Sequence, residues 1–241
     1  MNRAPGMETF GLFLDGYHLR KHATGLMVDT TFEPGITVLL GVNGIGKTTL
    51  LTSLVRPDMR AGGRAVLQDE AGSTELGEHL VCMLPQRPSL PSNLTVQEVV
   101  EYCCHLRGVE QGQGARLIDD LDLRPVAARR THRLSGGESQ RMNLALAFVG
   151  PPRVALLDEP TVALDPLGRR SFATALRRVA DARSVVVMST HVASDIEIAD
   201  HVQVMDSGGI SWRGTPSAFL SLGEGGGFDS AFAALLSAPP L

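Results

Sequence analysis

The chain has 241 residues, 43% of them hydrophobic, and its 22 Lys and Arg against 26 Asp and Glu give a formal charge of -4. This composition is typical of a folded domain and excludes intrinsic disorder, and the absence of a strongly basic run argues against nucleic acid as a partner. Residues 1–11 carry no signal-peptide pattern, no apolar run reaches the about 18 residues of a membrane helix, and the three cysteines are expected to be buried, reduced thiols.

The first elements predicted along the chain are strands that lead into a glycine-rich loop. Loosely alternating strands are expected before Gly41, joined by a loop over residues 16–25, and Ile36–Leu40 is predicted to be a buried strand. The segment GVNGIGKT, from Gly41 to Thr48, fits the P-loop pattern at each required position, and leucines at helical spacing follow it. Its backbone N–H groups and the helix N-terminus would hold phosphates, with Lys47 reaching the β- and γ-phosphates and Thr48 ligating Mg2+.

The middle of the chain changes in character from strand to helix. Residues 80–84 are predicted to form a buried strand, and the pattern is helical over residues 88–149. Thr95 and Glu98 match a capping box that an apolar stripe follows, and a weaker helix is predicted over residues 115–121. The predicted organisation is a single domain, 1–241, with a nucleotide-binding core over 1–87 and 150–212, a helical subdomain over 88–149, and a tail over 213–241 that contains a flexible turn and a short helix.

A second candidate phosphate-binding segment lies at a later helix start. Ser135-Gly136-Gly137-Glu138 also has the pattern of a capping box, and apolar residues at helical spacing follow it. Two adjacent glycines at a helix N-terminus can in addition expose backbone N–H groups to an anion. Because a long helical insertion separates this segment from the P-loop, we expect it to meet a nucleotide that is bound to a second chain.

Two acidic residues follow the predicted buried strand over residues 154–157. Asp158 can hold Mg2+ through water, and Glu159 can orient or deprotonate the attacking water. A strand that ends in two solvated acids would look the same, but the sequence PTVALDP that follows favours the catalytic interpretation. His191 follows a further β-branched run, 185–187, and so lies at the carboxyl end of a strand, where α/β proteins bind ligands.

Taken in order, these segments resemble the motifs of the ATP-binding cassette (ABC) family over about residues 36–212. The motifs are the P-loop, Gln86, Leu134–Glu138, Asp158–Glu159, Leu164–Asp165 and His191. Within that family the chain resembles the cassette subunits of drug-efflux-type (ABC-2 type) transporters. The interleaved strands and helices and the resemblance both indicate an α/β fold: a P-loop NTPase core with a mostly parallel sheet, an N-terminal antiparallel β portion and an inserted helical subdomain.

The resemblance also implies roles for individual residues. Gln86 would touch Mg2+ and sense the γ-phosphate, and His191 would contact the γ-phosphate. Asp165 would help to join two nucleotide sites. Ser135, Gly136 and Gly137 would contact the γ-phosphate held by the opposite chain. The triphosphate of ATP would be held by seven residues: Gly41, Asn43, Gly44, Gly46, Lys47, Thr48 and Thr49.

One further residue expected from the resemblance is an aromatic ring that stacks on adenine. Tyr17 is the candidate, with His18 next to it, and the alternative is an ordinary surface tyrosine.

The function implied is that of an ATP-hydrolysing subunit of a membrane transporter. Two such chains, as a homodimer in the simplest case, would close on ATP and drive a separate integral membrane subunit, with export favoured by the resemblance. The chain would then be cytoplasmic and peripheral on the inner face of the cell membrane.

Alternatives are a soluble ABC-type ATPase in translation or DNA maintenance, and a regulatory nucleotide-binding module with weak turnover. The sequence has no internal repeat, sustained heptads or cysteine cluster, which disfavours the former, and Glu159 and His191 disfavour the latter.

Overall fold

A computed structural model describes residues 10–19, 26–77, 79–86, 88, 90–110, 112–150, 152–180, 184–207 and 209–237. Over these residues the strands are β1 (Gly11–Leu19), β2 (Met27–Phe32), β3 (Gly35–Leu40), β4 (Arg60–Asp69), β5 (Gly72–Glu75), β6 (Val81–Leu84), β7 (Val154–Asp158), β8 (Val185–Ser189), β9 (His201–Asp206) and β10 (Gly209–Gly214). The α-helices are α1 (Lys47–Val55), α2 (Val96–Leu106), α3 (Gln113–Asp120), α4 (Gly136–Ala147), α5 (Pro166–Val179), α6 (Pro216–Leu220) and α7 (Phe228–Ser237).

The strands form two sheets, which confirms the predicted α/β fold class. The larger sheet has the order β10-β9-β3-β8-β7-β6, and all neighbouring pairs are parallel except β9 with β10. The smaller sheet, β2-β1-β4-β5, is antiparallel throughout. Because β3, β7 and β8 are adjacent and parallel, their carboxyl ends lie side by side, and this brings together the loops that carry the predicted site residues.

Two hydrophobic cores cover the faces of the larger sheet. The side chains of Ile36, Val38 and Leu40 on β3 belong to the core beneath the helices, whereas Leu39 belongs to the core between the two sheets. This alternation follows from the period of two along a strand. Both faces of β3 are therefore buried, as the continuous apolar run predicts for a central parallel strand.

The antiparallel sheet differs from the prediction in two ways. Strand β1 continues through Gly16 to Leu19 with an irregularity after Leu14, so the predicted loop does not begin at residue 16; residues 20–25 of that loop lie outside the described part. Strands β4 and β5 were not predicted, because β4 is rich in glycine and charge and buries only Ala65 and Leu67. Strand β4 pairs with β1, a long-range contact that local composition does not reveal, and β5 in turn pairs, among the described residues, only with β4.

The predicted helices are present, with small differences in their bounds. Helix α3 begins at Gln113, two residues earlier than predicted, after Gly112 with a φ of 100°. The tail contains the predicted short helix, α7, which packs on the core through a chain of aromatic rings. The ring centroids of Trp212 and Phe219 are 5.7 Å apart, and those of Phe219 and Phe228 are 5.8 Å apart. In the part of the chain that the structure describes, no helix has the length and hydropathy of a membrane span.

Candidate functional site

The predicted P-loop connects β3 to α1 and lines a small cavity. Gly44 and Gly46 have φ values of 80° and 118°, which disfavour any other residue, and Gly46 is the residue from which α1 begins. A Cβ at Gly41 would lie 2.7 Å from the Met205 carbonyl oxygen, so the loop also requires glycine at its start. The cavity measures about 130 Å³ and is lined by Asn43, Gly44, Gly46, Lys47, Thr48, Thr49 and Glu159.

The Lys47 side chain is buried and turned back onto its own loop. Its Nζ donates hydrogen bonds to the carbonyl oxygens of Gly41 at 2.6 Å and Val42 at 3.2 Å. Burial lowers the pKa of Lys47, and the nearby carboxylates of Glu159 and Asp158 oppose that shift. The loop therefore positions a cation at the floor of the cavity, close to two anionic groups at the carboxyl end of β7.

Asp158, at the end of β7, is 2% exposed and accepts two hydroxyl hydrogen bonds on the same oxygen. Thr48 Oγ1 donates to Asp158 Oδ1 at 3.1 Å, and Ser189 Oγ, at the end of β8, donates to it at 2.6 Å. Hydroxyl and carboxylate oxygens are the protein ligands that Mg2+ prefers, so the residues present fit that ion. Ser189 was not singled out from the sequence; its position in the strand that precedes His191 is the signal that could have identified it.

The three residues that were predicted to be catalytic meet at the carboxylate of Glu159. Gln86 Nε2, just past β6, donates to Glu159 Oε2 at 2.8 Å, and His191 Nδ1, just past β8, lies 3.3 Å from Glu159 Oε1. The φ of Glu159 is +47°, which is uncommon for a residue with a side chain. Its N–H donates to Ser189 O at 3.1 Å and to Ser189 Oγ at 3.0 Å, so the neighbouring strand end holds this conformation.

The predicted second phosphate-binding segment lies at the start of α4. Ser135 is the N-cap; its Oγ accepts from the Glu138 N–H at 3.3 Å, and the Glu138 carboxylate accepts from the Ser135 N–H at 2.8 Å. This is a reciprocal capping box, as predicted. Within the described residues no acceptor is recorded for the N–H groups of Gly136 and Gly137. Two backbone donors at the positive end of a helix are thus left available to an anion.

A shallow depression of about 480 Å³ lies in front of this helix start. It shares no lining residue with the P-loop cavity. Asp165, the N-cap of α5, lies on its rim and accepts a hydrogen bond from the Gly168 N–H at 2.6 Å, and Leu167 is 77% exposed there. The depression is lined by Ser135, Gly136, Gly137, Arg141, Ala163, Leu164, Asp165, Leu167, Gly168 and Ser171.

The structure does not support Tyr17 as the ring that stacks on adenine. Tyr17 is 1% exposed and lies in the core between the two sheets. Its hydroxyl donates to the Ser53 carbonyl oxygen at 2.9 Å and lies 3.1 Å from Ser53 Oγ, which fixes the ring beneath α1. The prediction of a stacking role for Tyr17 is wrong, because β1 continues through this residue and directs its ring inward. His18 is only partly buried.

The three cysteines are free thiols, as expected. Burial raises the pKa of Cys82 to about 12 and also raises the pKa of Cys103 and Cys104. In the described part of the chain no group of three or more His, Cys, Asp or Glu residues is arranged to hold a metal ion.

Comparison with known proteins matches the chain to one family. The family model for "ABC transporter" matches residues 27–162, more than half of the chain. The chain is 33% identical over 210 residues to "Probable multidrug ABC transporter ATP-binding protein YbhF" of Escherichia coli, covering 83% of this chain and 36% of that protein. It is 35% identical over 187 residues to "Uncharacterized ABC transporter ATP-binding protein YxlF" of Bacillus subtilis, covering 76% of this chain and 62% of that protein.

Among solved structures, one described as "Structure of ATP binding subunit of ABC transporter" has the same fold. Its TM-score is 0.77 at 20% sequence identity, over 94% of this chain and all of the other. The chain spans about a third of YbhF and less than two thirds of YxlF.

Proposed function

This chain belongs to the ABC transporter family as one of its ATP-binding cassettes, and we propose that it hydrolyses ATP between two copies and thereby drives a separate membrane-embedded subunit. The observation that carries the proposal is the division of the phosphate-binding groups into two places. The P-loop cavity and the depression at the start of α4 have no residue in common. The first holds Lys47 and the second holds the N–H groups of Gly136 and Gly137, and on this proposal both are needed to enclose the γ-phosphate of one ATP.

In one copy, the P-loop would hold the triphosphate. The N–H groups at the start of α1 and the Lys47 ammonium, which now donates to two loop carbonyls, would donate to phosphate oxygens instead. Thr48 and Asp158 would hold Mg2+, with Gln86 beside them. When bound, that ion neutralises charge on the phosphates and aligns them for attack.

Glu159 would act as the general base. Its carboxylate is within hydrogen-bonding distance of Gln86 and His191, from two different loops, so its position responds to movement of either loop. A carboxylate within hydrogen-bonding reach of a water can orient it and accept its proton. His191 would then contact the γ-phosphate, and Gln86 would report its presence to the helical subdomain.

In the second copy, Ser135, Gly136 and Gly137 would donate to the γ-phosphate across the dimer, with Asp165 beside them. The shared anion would favour the closed dimer, and its loss on hydrolysis would favour the open one, because only the closed form binds it from both sides. The exposed Leu167 on the rim of the depression would be covered by the partner copy. A homodimer is the simplest such assembly.

The helical subdomain, residues 88–149, would pass closure to the membrane subunit. The stretch from Pro88 to Leu106 follows Gln86 and includes α2, on which Tyr102 and Leu106 are exposed, the latter by 64%. An exposed apolar pair on one helix is suited to docking against another protein. We propose that this surface meets the membrane subunit, that the chain is held at the inner face of the membrane through that contact, and that the direction of transport is export.

The substitution Glu159→Gln tests the assignment. It should leave ATP binding intact and slow phosphate release by about 10²–10⁴-fold, as expected when a general base is lost. Glu75→Gln, a change at an exposed carboxylate of β5 that pairs with Arg60, serves as the control and should leave turnover unchanged. Equal turnover in wild type and Glu159→Gln would remove Glu159 from the mechanism.

A further inference from the structure

A buried carboxylate outside the predicted motifs lies behind the site. Asp195 belongs to a short 3₁₀ helix, Ala193–Ile198, and is 3% exposed. Its Oδ2 accepts hydrogen bonds from Thr161 Oγ1 and Thr190 Oγ1, both at 2.5 Å. One oxygen atom therefore connects the loop that follows β7 to the loop that follows β8.

Each of these loops carries a residue of the site close to the hydroxyl that Asp195 binds. Thr161 is two residues beyond Glu159, and Thr190 immediately precedes His191. Thr190 Oγ1 also accepts a hydrogen bond from the Val192 N–H at 3.0 Å, so the backbone on both sides of His191 is held. The distance of 3.3 Å between His191 Nδ1 and Glu159 Oε1 is thus set by two loops that share one anchor.

Burial of the Asp195 carboxylate lowers the stability of the fold. Burial raises the pKa of Asp195, and the hydrogen bonds from Thr161 and Thr190 oppose that shift. Two hydroxyl groups of the described residues donate to this carboxylate, and the nearby Arg169 and His191 also act to lower its pKa. A carboxylate that is buried among apolar residues is unfavourable for stability, so core packing alone does not account for it.

We propose that Asp195 is a positioning residue, which fixes the Glu159 loop and the His191 loop relative to each other so that the two side chains meet the same γ-phosphate. The proposal rests on the proposed ATPase function for its effect on turnover. Its geometric part, the fixed distance between Glu159 and His191, does not depend on turnover. A purely structural Asp195 would affect stability and leave the chemistry of properly folded molecules unchanged.

The first experiment compares Asp195→Ala with Thr161→Val and Thr190→Val, each of which removes one of the two hydrogen bonds to Asp195. Thr190→Val also removes the acceptor of the Val192 N–H, so Thr161→Val is the more conservative of the two. A displacement of about 1 Å at a catalytic group can reduce the rate 10²-fold, so we expect kcat to fall about 10–100-fold in Asp195→Ala and less in each threonine variant. ATP affinity should be retained, because Asp195 does not line the P-loop cavity. Wild-type kcat in all three variants would overturn the proposal.

Asp200 provides a matched control in the same region of sequence. It accepts hydrogen bonds from the Ile36 N–H at 2.8 Å and from the Arg177 side chain. These contacts lie at the start of β3, the end that is farther from the P-loop. Asp200→Ala should lower stability without lowering kcat of the folded fraction. A loss of kcat in Asp200→Ala equal to that in Asp195→Ala would show that both effects come from general destabilisation.

A second readout requires no turnover. The imidazole signals of His191, identified in an NMR spectrum by their absence from His191→Ala, should shift in Asp195→Ala and Thr190→Val and stay in place in Asp200→Ala.

A double-mutant cycle measures the coupling in kinetics. His191→Ala should reduce kcat less in the Asp195→Ala background than in wild type, because both changes disturb the same contact between His191 and the γ-phosphate. If wild type releases no phosphate while the His191 signals shift as expected, the proposed function fails and the positioning role stands. Unshifted signals would overturn the positioning role.

Discussion

Helices α2 and α4 begin with the same local structure but expose different backbone groups. In α2, Thr95 Oγ1 accepts from the Glu98 N–H and the Glu98 carboxylate accepts from the Thr95 N–H. In α4, Ser135 and Glu138 form the same pair of hydrogen bonds. By pattern and by geometry, the two capping boxes are equivalent.

The difference lies in the two N–H groups that follow each N-cap. In α2, Val96 N–H donates to Arg129 O at 3.1 Å and Gln97 N–H donates to Ala127 O at 3.0 Å. In α4, the equivalent groups belong to Gly136 and Gly137 and have no recorded acceptor among the described residues. The first helix start is used to join α2 to the chain segment before α4, and the second is free for an anion. The two starts are also physically linked, since Glu138 pairs with Arg129 at 3.0 Å.

The largest expected effect is the loss of dimerisation in Ser135→Arg. The arginine would occupy the depression in front of Gly136 and Gly137 and block contact with a phosphate on the other copy. In the Glu159→Gln background, which slows hydrolysis, addition of MgATP should convert the parent to a dimer in size-exclusion chromatography and leave Ser135→Arg monomeric. ATP binding to the monomer should be unchanged, because Ser135 is not part of the P-loop cavity.

Thr95→Arg is the corresponding change at the other helix start. It removes the same cap and introduces the same side chain, so both variants lose the stability that the cap provides. ATP-driven dimerisation should survive in Thr95→Arg, because the N–H groups of Val96 and Gln97 are already occupied by Arg129 and Ala127. A dimer in Ser135→Arg, or weaker ATP binding by its monomer, would contradict the assignment of the start of α4 to the partner's nucleotide.

A smaller effect is expected from alanine at each N-cap. Ser135→Ala and Thr95→Ala should each lower the free energy of unfolding by about 1 kcal/mol, the usual effect of a lost cap. Only Ser135→Ala should also lower kcat, by about 10-fold or more, because a hydrogen bond to a charged group contributes about 1.5–3 kcal/mol. Urea unfolding and phosphate release measure the two quantities separately. Equal losses of kcat in the two variants would mean that both helix starts act through the fold alone.

Features that depend on local patterns could be predicted from the sequence, and the two capping boxes are examples. The strand-loop-helix context of the P-loop, the buried parallel strands and both capping boxes depend on local patterns, and the fold class followed from them. Strand β4 was missed because it pairs with β1 through contacts far apart in sequence, and β5 was missed because, within the described part of the chain, it pairs only with β4 and buries no residue.

Site residues could be predicted from the sequence only where they belong to a recognisable motif. Glu159 and His191 were assigned from their positions at strand ends and Gln86 from the resemblance, and the three meet because β6, β7 and β8 are adjacent in the sheet. The Tyr17 assignment failed because the direction of a side chain on a strand depends on which face the second sheet covers. Asp195 belongs to no motif, and its proposed role depends on two threonines that strand order alone brings within reach.

The smallest expected effect concerns how the stability contributed by the two capping boxes changes with pH. Hydrogen bonds from the N-cap N–H groups lower the pKa of Glu98 and of Glu138 below the usual value of 4.5. A carboxyl whose pKa is lower in the folded state stabilises the protein above its unfolded pKa, and this contribution is lost as the pH falls through the folded value. Glu98→Gln and Glu138→Gln keep a hydrogen-bonding side chain and remove the charge. Each should therefore be less stable than wild type at pH 7 in urea unfolding, with a difference that narrows below pH 4.5. A difference that stays constant with pH would mean that shape, rather than charge, is what these glutamates contribute at either helix start.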